Sequence, residues 1–264
     1  MIRDLIRIDG RRALITGAAG GLGSMIAATL AEIGAELILV EKPDVSCEDI
    51  EQRLFDDFQC RPEIYKCNLE DPIERSELIE CFVNDDHELS VLVNNAAFVG
   101  TTALVGWSVP FVEQSIDTWS RAIEINLTAA FQLCQGLYPI LKKSPGPTII
   151  NIASTYGSLA PDWSLYEGTS LGNPAAYSAS KGGLIQLTRW LAATVAPEVR
   201  VNSISPGGIF RNQPKIFVDR YSARTPLKRM GVEDDFAGAI ALLSSDLSRY
   251  MTGQNLIIDG GWGI

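Results

Sequence analysis

Short apolar runs alternate with longer amphipathic stretches along the whole of this 264-residue chain. The apolar runs are near-continuous series of Ile, Leu and Val, which is typical of strands buried on both faces of a parallel sheet. The predicted strands are Ala13–Thr16, Leu37–Glu41, Glu63–Lys66, Val91–Asn94, Thr148–Ala153, Arg200–Ile204 and Asn255–Ile258. The predicted helices are Leu22–Ile33, Glu48–Phe58, Pro72–Asn84, Ile116–Lys142, Ala175–Ala196 and Glu233–Ser244. This alternation predicts an α/β fold, in which one doubly wound domain spans residues 1–264 and a seven-stranded parallel sheet carries helices on both faces.

A glycine-rich turn, T-G-A-A-G-G-L-G, connects the first predicted strand to the first predicted helix. Its spacing, T-G-x-x-x-G-x-G, uses Gly17, Gly21 and Gly23. Glycines let a backbone turn tightly and approach a pyrophosphate closely, and the N-terminus of the following helix favours negative charge. A tight strand–helix junction would also use glycines, but at the first strand of a repeated β–α pattern this turn predicts a dinucleotide site.

Glu41 ends the second predicted strand, 24 residues after Gly17. A carboxylate at this point can accept hydrogen bonds from the adenosine ribose hydroxyls and would repel a 2′-phosphate. Lys42 follows immediately and partly offsets that repulsion, whereas no basic residue lies within the glycine turn. The charge balance therefore favours NAD over NADP as the cofactor.

Tyr177 and Lys181 stand four residues apart in the predicted helix Ala175–Ala196, within the segment Y-S-A-S-K. Positions i and i+4 of a helix are neighbours, so the two side chains are expected on one side of it. A free phenol has a pKa of about 10 and is a poor base at neutral pH, whereas a nearby ammonium lowers that pKa. The pair is a candidate acid/base, although Y-x-x-x-K alone also occurs on ordinary helix surfaces.

Charge and composition exclude several classes of partner. The net charge of −10 and the pI of about 4.7 argue against nucleic acid or an anionic membrane as the main partner. The five cysteines form no C-x-x-C pair, which indicates reduced thiols and a cytoplasmic protein. The charged start, M-I-R-D-L-I-R-I-D-G-R-R, and the lack of an apolar run of about 18 residues predict neither a signal peptide nor a membrane span.

The single histidine, His87, lies among acidic residues and is predicted to be a solvated loop residue. One histidine excludes a His-rich zinc site and disfavours a Ser-His triad. We therefore predict no metal site.

Six motifs, taken in order along the chain, resemble those of the short-chain dehydrogenase/reductase family. The resemblance covers essentially the whole chain, to the ending M-T-G-Q-N-L-I-I-D-G-G-W. It implies a single Rossmann domain and an NAD(P)-dependent oxidoreductase that interconverts a secondary alcohol and a ketone by hydride transfer. The motifs are the glycine turn, Asn94-Asn95-Ala96-Ala97, Asn126 in I-E-I-N-L, Ser154 in N-I-A-S, Tyr177-x-x-x-Lys181, and Pro206-Gly207.

The resemblance also implies a role for each motif residue. Tyr177 would be the general acid/base, and Lys181 would lower its pKa and hold the nicotinamide ribose. Ser154 would hydrogen-bond the reacting oxygen, and Asn126 would help to relay protons through water from Lys181. The residues expected around the cofactor are Gly17, Gly20, Gly21, Leu22, Gly23, Glu41, Asn68, Leu69, Asn95, Ala96, Tyr177, Lys181, Pro206, Gly207 and Ile209.

Three positions depart from the family pattern. Asn68 replaces the usual aspartate after the third strand, so the expected contact to adenine carries no charge. Arg211 replaces a threonine that often follows the Pro-Gly turn, which leaves the usual contact to the nicotinamide amide open. Ala97 replaces a frequent glycine.

A longer departure separates Ser154 from Tyr177, which lie 23 residues apart. The insertion, about residues 158–174, stands beside the catalytic helix and is predicted to shape a substrate pocket, the alternative being a packing or subunit-contact loop. Its aromatic and acidic residues suit a polyhydroxylated or amino-bearing ligand. These residues are Asp162, Trp163, Tyr166 and Glu167.

A second variable segment, about residues 208–229, reverses the acidic charge of the chain. It holds one acidic residue, Asp219, and the basic residues Arg211, Lys215, Arg220, Arg224, Lys228 and Arg229. In the family this region is usually a mobile lid, so the cluster predicts an anionic substrate such as a sugar phosphate or a nucleotide sugar. A solvated face is the alternative. The long insertion also resembles family members of flagellin-modification and surface-glycan pathways.

An alternative function remains open at this point, namely a non-catalytic dinucleotide-binding sensor or scaffold. A pure binding protein has no need of the combination of Tyr177, Lys181, Ser154 and Asn126, which favours the enzyme. The resemblance further implies a homo-oligomer, a tetramer or a dimer, that associates through Ile116–Lys142, Ala175–Ala196 and the tail through Trp262.

Overall fold

One sheet of seven parallel strands organises the computed structural model, which describes residues 1–84, 88–99 and 104–264. The strand order is β3-β2-β1-β4-β5-β6-β7. The strands are β1 (Arg12–Thr16), β2 (Glu36–Glu41), β3 (Glu63–Lys66), β4 (Val91–Asn94), β5 (Thr148–Ile152), β6 (Arg200–Pro206) and β7 (Asn255–Ile258). The predicted doubly wound α/β fold is confirmed. His87 lies outside the described residues.

Helices cover both faces of the sheet. They are α1 (Ile2–Ile6), α2 (Gly21–Glu32), α3 (Glu48–Phe58), α4 (Pro72–Asn84), α5 (Ile116–Ile123), α6 (Ala129–Leu141), α7 (Ala175–Thr194), α8 (Lys215–Arg224) and α9 (Ala237–Ser244). Apolar residues of α2, α3 and α9 pack on one face, and those of α4, α6 and α7 pack on the other. Within the described ranges, no helix combines the length and the apolar character needed to cross a membrane.

Neighbouring residues of β1 show why the strands have continuous apolar sequences. Leu14 packs into the cluster on the face of α4, α6 and α7, and Ile15 packs into the cluster on the opposite face. Both side chains are fully buried. Successive side chains of a strand point to opposite faces, so a sheet covered on both sides needs apolar residues at every position.

The predicted helix Ile116–Lys142 is interrupted in the structure. A π-helical turn, Glu124–Thr128, separates α5 from α6. Arg75, which is 1% exposed, donates to the carboxylate of Glu124, the first residue of this turn, and to Oε1 of Gln132 in α6. The contact comes from α4, far away in sequence, so the local apolar pattern does not reveal the interruption. Single π turns inside helices frequently mark functional sites, and this one carries Asn126.

Two further differences concern segments near the predicted lid. The sequence pattern predicts no helix in residues 208–229, yet α8 begins there directly after Pro214. Proline fixes a backbone angle that suits the start of a helix. The predicted helix Glu233–Ser244 begins instead as a 3-10 turn, Glu233–Phe236, that continues into α9.

Candidate active site

A cleft of about 840 Å³ opens at the carboxyl ends of the central strands. It lies where the strand order reverses between β1 and β4, the position at which parallel α/β sheets bind ligands. The described structure brings nearly all of the predicted cofactor residues to this cleft. They are Gly17, Gly20, Gly21, Leu22, Gly23, Glu41, Leu69, Asn95, Ala96, Tyr177, Lys181, Pro206, Gly207 and Ile209.

Asn68 is the exception among those residues, because it does not line the cleft. Its Oδ1 accepts a hydrogen bond from the backbone N–H of Glu70 at 3.2 Å. Its own N–H donates to Oε2 of Glu74 at 2.6 Å. The residue therefore stabilises the turn before α4, while its neighbour Leu69 faces the cleft.

The glycine turn leaves no room for a side chain at Gly17 or at Gly23. A β-carbon at Gly23 would lie 2.1 Å from the carbonyl oxygen of Gly17. Gly17 has a φ of +64°, and a β-carbon there would lie 2.9 Å from Cα of Ala96. The turn is a bare backbone cradle at the N-terminus of α2, which fits the phosphates of a dinucleotide.

Asn95 braces this cradle from β4. Its Nδ2 donates to the carbonyl oxygens of Thr16 and Gly17 at 2.9 and 3.0 Å. The hydroxyl of Thr16 accepts from the backbone N–H groups of Asn95 and Ala96, both at 3.0 Å. The first strand and the fourth strand therefore hold the turn in one position.

Glu41 points back towards the glycine turn from the end of β2. Its Oε2 accepts from the N–H of Ala19 and its Oε1 from the N–H of Lys42, each at 3.0 Å. Only 9% of the residue is exposed. The carboxylate is fixed in the wall of the cleft, and its predicted contact with the adenosine ribose stays a prediction.

Tyr177 and Lys181 project from the same side of α7 into the cleft, where Ser154 meets them. Ser154 caps a short 3-10 turn, Thr155–Gly157. A β-carbon at Gly157 would lie 2.7 Å from the backbone carbon of Lys181. This glycine lets the turn approach α7 closely enough to bring Ser154 beside the tyrosine.

The pKa of Tyr177 differs in direction from the sequence-based expectation. Burial raises the pKa of the phenol. A hydrogen bond with Ser154 and the charge of Arg211 lower it, but they offset only part of that rise. Lys181 lies with its Nζ 5.9 Å from the centre of the Tyr177 ring and donates to the carbonyl of Ile152 at 2.7 Å. In this arrangement burial outweighs the lowering that was expected from the ammonium.

Lys181 is expected to make the protein more stable as the pH rises through the alkaline range. Burial lowers its pKa from an ordinary 10.5 to about 8. Below pH 8 both states carry the proton and the cost of burying the ammonium is fully present. Between pH 8 and pH 10.5 the lysine is protonated in the unfolded chain but largely neutral in the folded protein. The unfolded state therefore binds more protons, so the free energy of unfolding rises with pH.

The measurement is a series of denaturant titrations from pH 7.5 to 10.5 on the wild type and on Lys181→Met. Because the pKa shift corresponds to about 3 kcal/mol, the stability of the wild type should rise relative to that of the variant by about that amount. Parallel curves would contradict a buried, titrating lysine.

Asn126 lies within the π turn, and groups from elsewhere in the protein hold its side chain. Its Oδ1 accepts from the N–H of Phe98 at 2.6 Å, and its Nδ2 donates to Ser180 Oγ at 2.9 Å and to the carbonyl of Phe98 at 3.3 Å. The side chain is 1% exposed and does not line the cleft, whereas the adjacent Ile125 does. These hydrogen bonds tie the π turn to Phe98 and to Ser180, the residue before Lys181.

A smaller cavity of about 190 Å³ adjoins Ser154 and Tyr177. Rings from the insertion, from α8 and from the C-terminal tail line it, and the hydroxyls of Tyr156 and Tyr166 lie 2.7 Å apart. Burial raises the pKa values of Tyr156, Tyr166 and Tyr221, the last to about 12, so these phenols remain protonated at neutral pH. The aromatic lining residues besides Tyr177 are Tyr156, Tyr166, Phe217, Tyr221 and Trp262.

The insertion and segment 208–229 are joined to each other by polar contacts. Arg224 forms an ion pair with Asp162 and lies over the ring of Trp262, with its guanidinium carbon 4.1 Å from the ring centre. Arg220 donates to the carbonyl oxygen of Glu167. Of the insertion residues singled out from the sequence, Tyr166 lines the cavity, whereas Asp162, Trp163 and Glu167 do not.

The other basic residues of segment 208–229 also have partners within the described structure. Lys215 pairs with Asp219 on α8, Arg229 pairs with Asp235, and Lys228 donates to the carbonyl of Ala223. Arg211 pairs with Glu233 at 3.3 Å, and it is the one residue of the predicted basic cluster among those described around the large cleft.

Several residues that line the cleft were not predicted from the sequence. Gln213, Cys67 and Phe98 carry no motif that points to a cofactor. Arg211 carried a signal, because it departs from the family pattern at the Pro-Gly turn, but its position in the cleft could be found only from the structure.

Known proteins resemble this chain in sequence and in structure. A family model described as "Enoyl-(Acyl carrier protein) reductase" matches residues 17–263. The 3-oxoacyl-(acyl-carrier-protein) reductase FabG of Thermotoga maritima is 31% identical, over 97% of this chain and 99% of its own length. The chain belongs to the short-chain dehydrogenase/reductase family. The post-translational flagellin modification protein A of Campylobacter coli is 27% identical, over 97% of this chain and its full length.

Solved structures of the family support a nicotinamide dinucleotide as cofactor. A short-chain dehydrogenase from Leptospira borgpetersenii with bound NAD+ superposes with a TM-score of 0.83 at 31% identity, over all of this chain and 96% of its own. A gluconate 5-dehydrogenase from Burkholderia cenocepacia, in complex with NADP and tartrate, superposes with a TM-score of 0.84 at 28% identity. The superposition covers 99% of this chain and 98% of the other. The protein is an NAD(P)-dependent oxidoreductase of this family, and the non-catalytic alternative is set aside.

Proposed function

We propose that the protein interconverts a secondary alcohol and a ketone on a sugar-like ring, with Tyr177 as the general acid/base and NAD as the preferred cofactor. The observation that carries the proposal is the aromatic cavity of about 190 Å³ that adjoins Tyr177 and Ser154. Drug-sized ligands occupy pockets of roughly 300–1,000 Å³. A smaller cavity walled by rings suits a single substrate ring that stacks on them.

The chain's own residues divide the chemistry. A bound nicotinamide would supply or accept the hydride, and the glycine cradle, Glu41 and Lys181 would hold that cofactor. The hydroxyl of Tyr177 gives a proton to the substrate oxygen in reduction and takes it back in oxidation. Ser154 donates a hydrogen bond to the same oxygen while charge grows on it, which lowers the barrier.

The phosphate of the predicted sugar phosphate or nucleotide sugar stays a prediction. It depends on the basic residues of segment 208–229, whose side chains pair with acidic side chains or backbone carbonyls of the protein. Arg211 is the cluster residue described at the cofactor cleft. The aromatic cavity therefore supports recognition of the sugar ring more than of an attached phosphate.

The preference for NAD rests on the fixed carboxylate of Glu41. Two backbone N–H groups hold it at the edge of the cleft, so a 2′-phosphate there would meet a negative charge that cannot easily turn away. Lys42 lies in the same wall and reduces this repulsion without removing it.

A substrate panel with both reduced cofactors tests the proposal. Keto sugars, their phosphates, keto nucleotide sugars, cyclic ketones and a short 3-oxoacyl thioester would be assayed with NADH and with NADPH. We expect turnover on keto sugars and a dissociation constant at least about tenfold lower for NADH, with the gap narrowed in Glu41→Gln. Turnover confined to the thioester would overturn the substrate proposal, and tighter binding of NADPH would overturn the cofactor preference.

Self-association and a cytoplasmic location also remain proposals. Large apolar side chains are exposed on α5, α6 and α7, on the helices that the sequence predicts to form subunit contacts; they are Ile116, Trp119, Phe131 and Trp190. All five cysteines are free thiols, as a reducing compartment requires. Light scattering of the purified protein and cell fractionation test these two points; a monomer or an exported protein would contradict them.

A further inference from the structure

A carboxylate from a distant part of the chain lies against the first turn of α2. Glu233 belongs to the 3-10 turn before α9, and its Oε1 would be 2.8 Å from a β-carbon at Gly21, the first residue of α2. The N-cap of α2, Gly20, provides no side-chain hydrogen bond, and the first turn of this helix contains no acidic residue. Glu233 thus places a negative charge where the helix attracts an anion.

Arg211, which lines the cleft, forms an ion pair with this carboxylate. Its Nε lies 3.3 Å from Oε1 of Glu233, and its Nη2 would be 3.5 Å from the same β-carbon at Gly21. Oε1 of Gln213 accepts from the N–H of Arg211 at 2.7 Å, which fixes the backbone from which the guanidinium extends. The charge of Arg211 also reaches the phenol of Tyr177. The guanidinium, the glycine turn and Tyr177 therefore line the same cleft.

The carboxylate and a dinucleotide pyrophosphate would draw on the same donor, the guanidinium of Arg211, which lines the cleft. The N–H groups at the start of α2 and the guanidinium of Arg211 are the donors that an anion would use there, and Arg binds phosphate oxygens as readily as carboxylate oxygens. Two anions in contact at that point would repel each other. The side chains of Arg211 and Glu233 are 52% and 28% exposed, so both can change rotamer without unpacking the core.

We propose that Glu233 is an internal substitute for the cofactor's phosphates, and that Arg211 exchanges it for the pyrophosphate when the dinucleotide binds. Arg211 is then a cofactor-binding residue, and Glu233 is a regulator that lowers affinity and speeds release. Release steps limit the turnover of many enzymes. The inference rests on the dinucleotide cleft described above and is independent of which substrate is reduced.

The test measures binding without turnover. Dissociation constants of NADH, ADP-ribose and adenosine would be determined by calorimetry for the wild type, Glu233→Gln, Arg211→Gln and the double variant. We expect Glu233→Gln to bind NADH and ADP-ribose about tenfold more tightly and Arg211→Gln to bind them at least tenfold more weakly. Adenosine, which lacks phosphates, should show no change. In the double variant the increase in affinity caused by Glu233→Gln should be smaller, because the guanidinium of Arg211 is missing.

The matched control is Asp234→Asn, which removes the same charge from the next, exposed residue of the same turn. Its dissociation constants should equal those of the wild type. The proposal is overturned if Glu233→Gln leaves ADP-ribose binding unchanged, if Asp234→Asn has an equal effect, or if Arg211→Gln weakens adenosine as much as ADP-ribose. An Arg211→Gln variant that binds ADP-ribose normally but has a raised KM for substrate would assign the guanidinium to the substrate instead. Because no step requires a substrate, failure of the sugar proposal would not alter these results.

Discussion

Tyr177→Phe is expected to lower kcat by a factor of about 10² to 10⁴, the usual contribution of a general acid/base. The variant keeps the ring that lines both the cleft and the aromatic cavity, and it loses only the hydroxyl beside Ser154. The measurement is kcat and KM on the best substrate of the panel, with the dissociation constant of NADH determined in parallel.

The dissociation constant of NADH should change less than about threefold, because the residues proposed to hold the cofactor, namely the cradle, Glu41 and Lys181, are unchanged in this variant. The control is Tyr250→Phe, which removes a phenol that is fully exposed on the surface and should leave kcat unaltered. Retained turnover in Tyr177→Phe would contradict the role of this residue. Lost turnover together with lost NADH binding would show instead that the hydroxyl is needed to build the cleft.

The strands could be predicted from the sequence because each one is a local signal. Leu14 and Ile15 are both apolar since one packs against each layer of helices, so a run of this kind shows a strand without any long-range information. The cofactor cleft follows from the same signal. Once the strands are ordered, Gly17, Glu41 and Asn95 stand at carboxyl ends, and a parallel sheet brings those ends to one edge.

What the sequence could not show depends on contacts between distant segments. Arg75 extends from α4 to bind Glu124 at the start of the π turn that carries Asn126, and no local pattern shows this contact. The basic cluster looked like an anion clamp because its partners, among them Asp162 and Asp235, lie elsewhere in the chain. The pKa of Tyr177 depends on the depth at which the fold buries it, which no spacing of Tyr and Lys reveals.

Gly23→Ala is expected to raise the dissociation constant of NADH at least about a hundredfold. The new β-carbon would lie 2.1 Å from the carbonyl oxygen of Gly17 and 2.8 Å from Cα of Ala18, and both are backbone atoms that no side-chain rotation can move away. The turn must open, which disturbs the hydrogen bond from Asn95 to Gly17. Overpacking of this kind typically costs about 1–3 kcal/mol of stability. Calorimetric titration with NADH measures the loss of affinity, and a denaturant titration measures the loss of stability.

Gly238→Ala separates loss of the cradle from a general effect of added methyl groups. Gly238 lies in α9, and a β-carbon there would meet no atom within 4 Å. Alanine is favoured over glycine inside a helix by roughly 0.5–1 kcal/mol, so this variant should be as stable as the wild type or slightly more stable and should bind NADH equally well. If Gly23→Ala also bound NADH with the wild-type constant, the turn could not be the phosphate cradle, and the proposed exchange between Glu233 and the pyrophosphate would lose its site. If it lost NADH binding but stayed folded, the affinity would depend on the backbone shape that Gly17, Gly21 and Gly23 make possible.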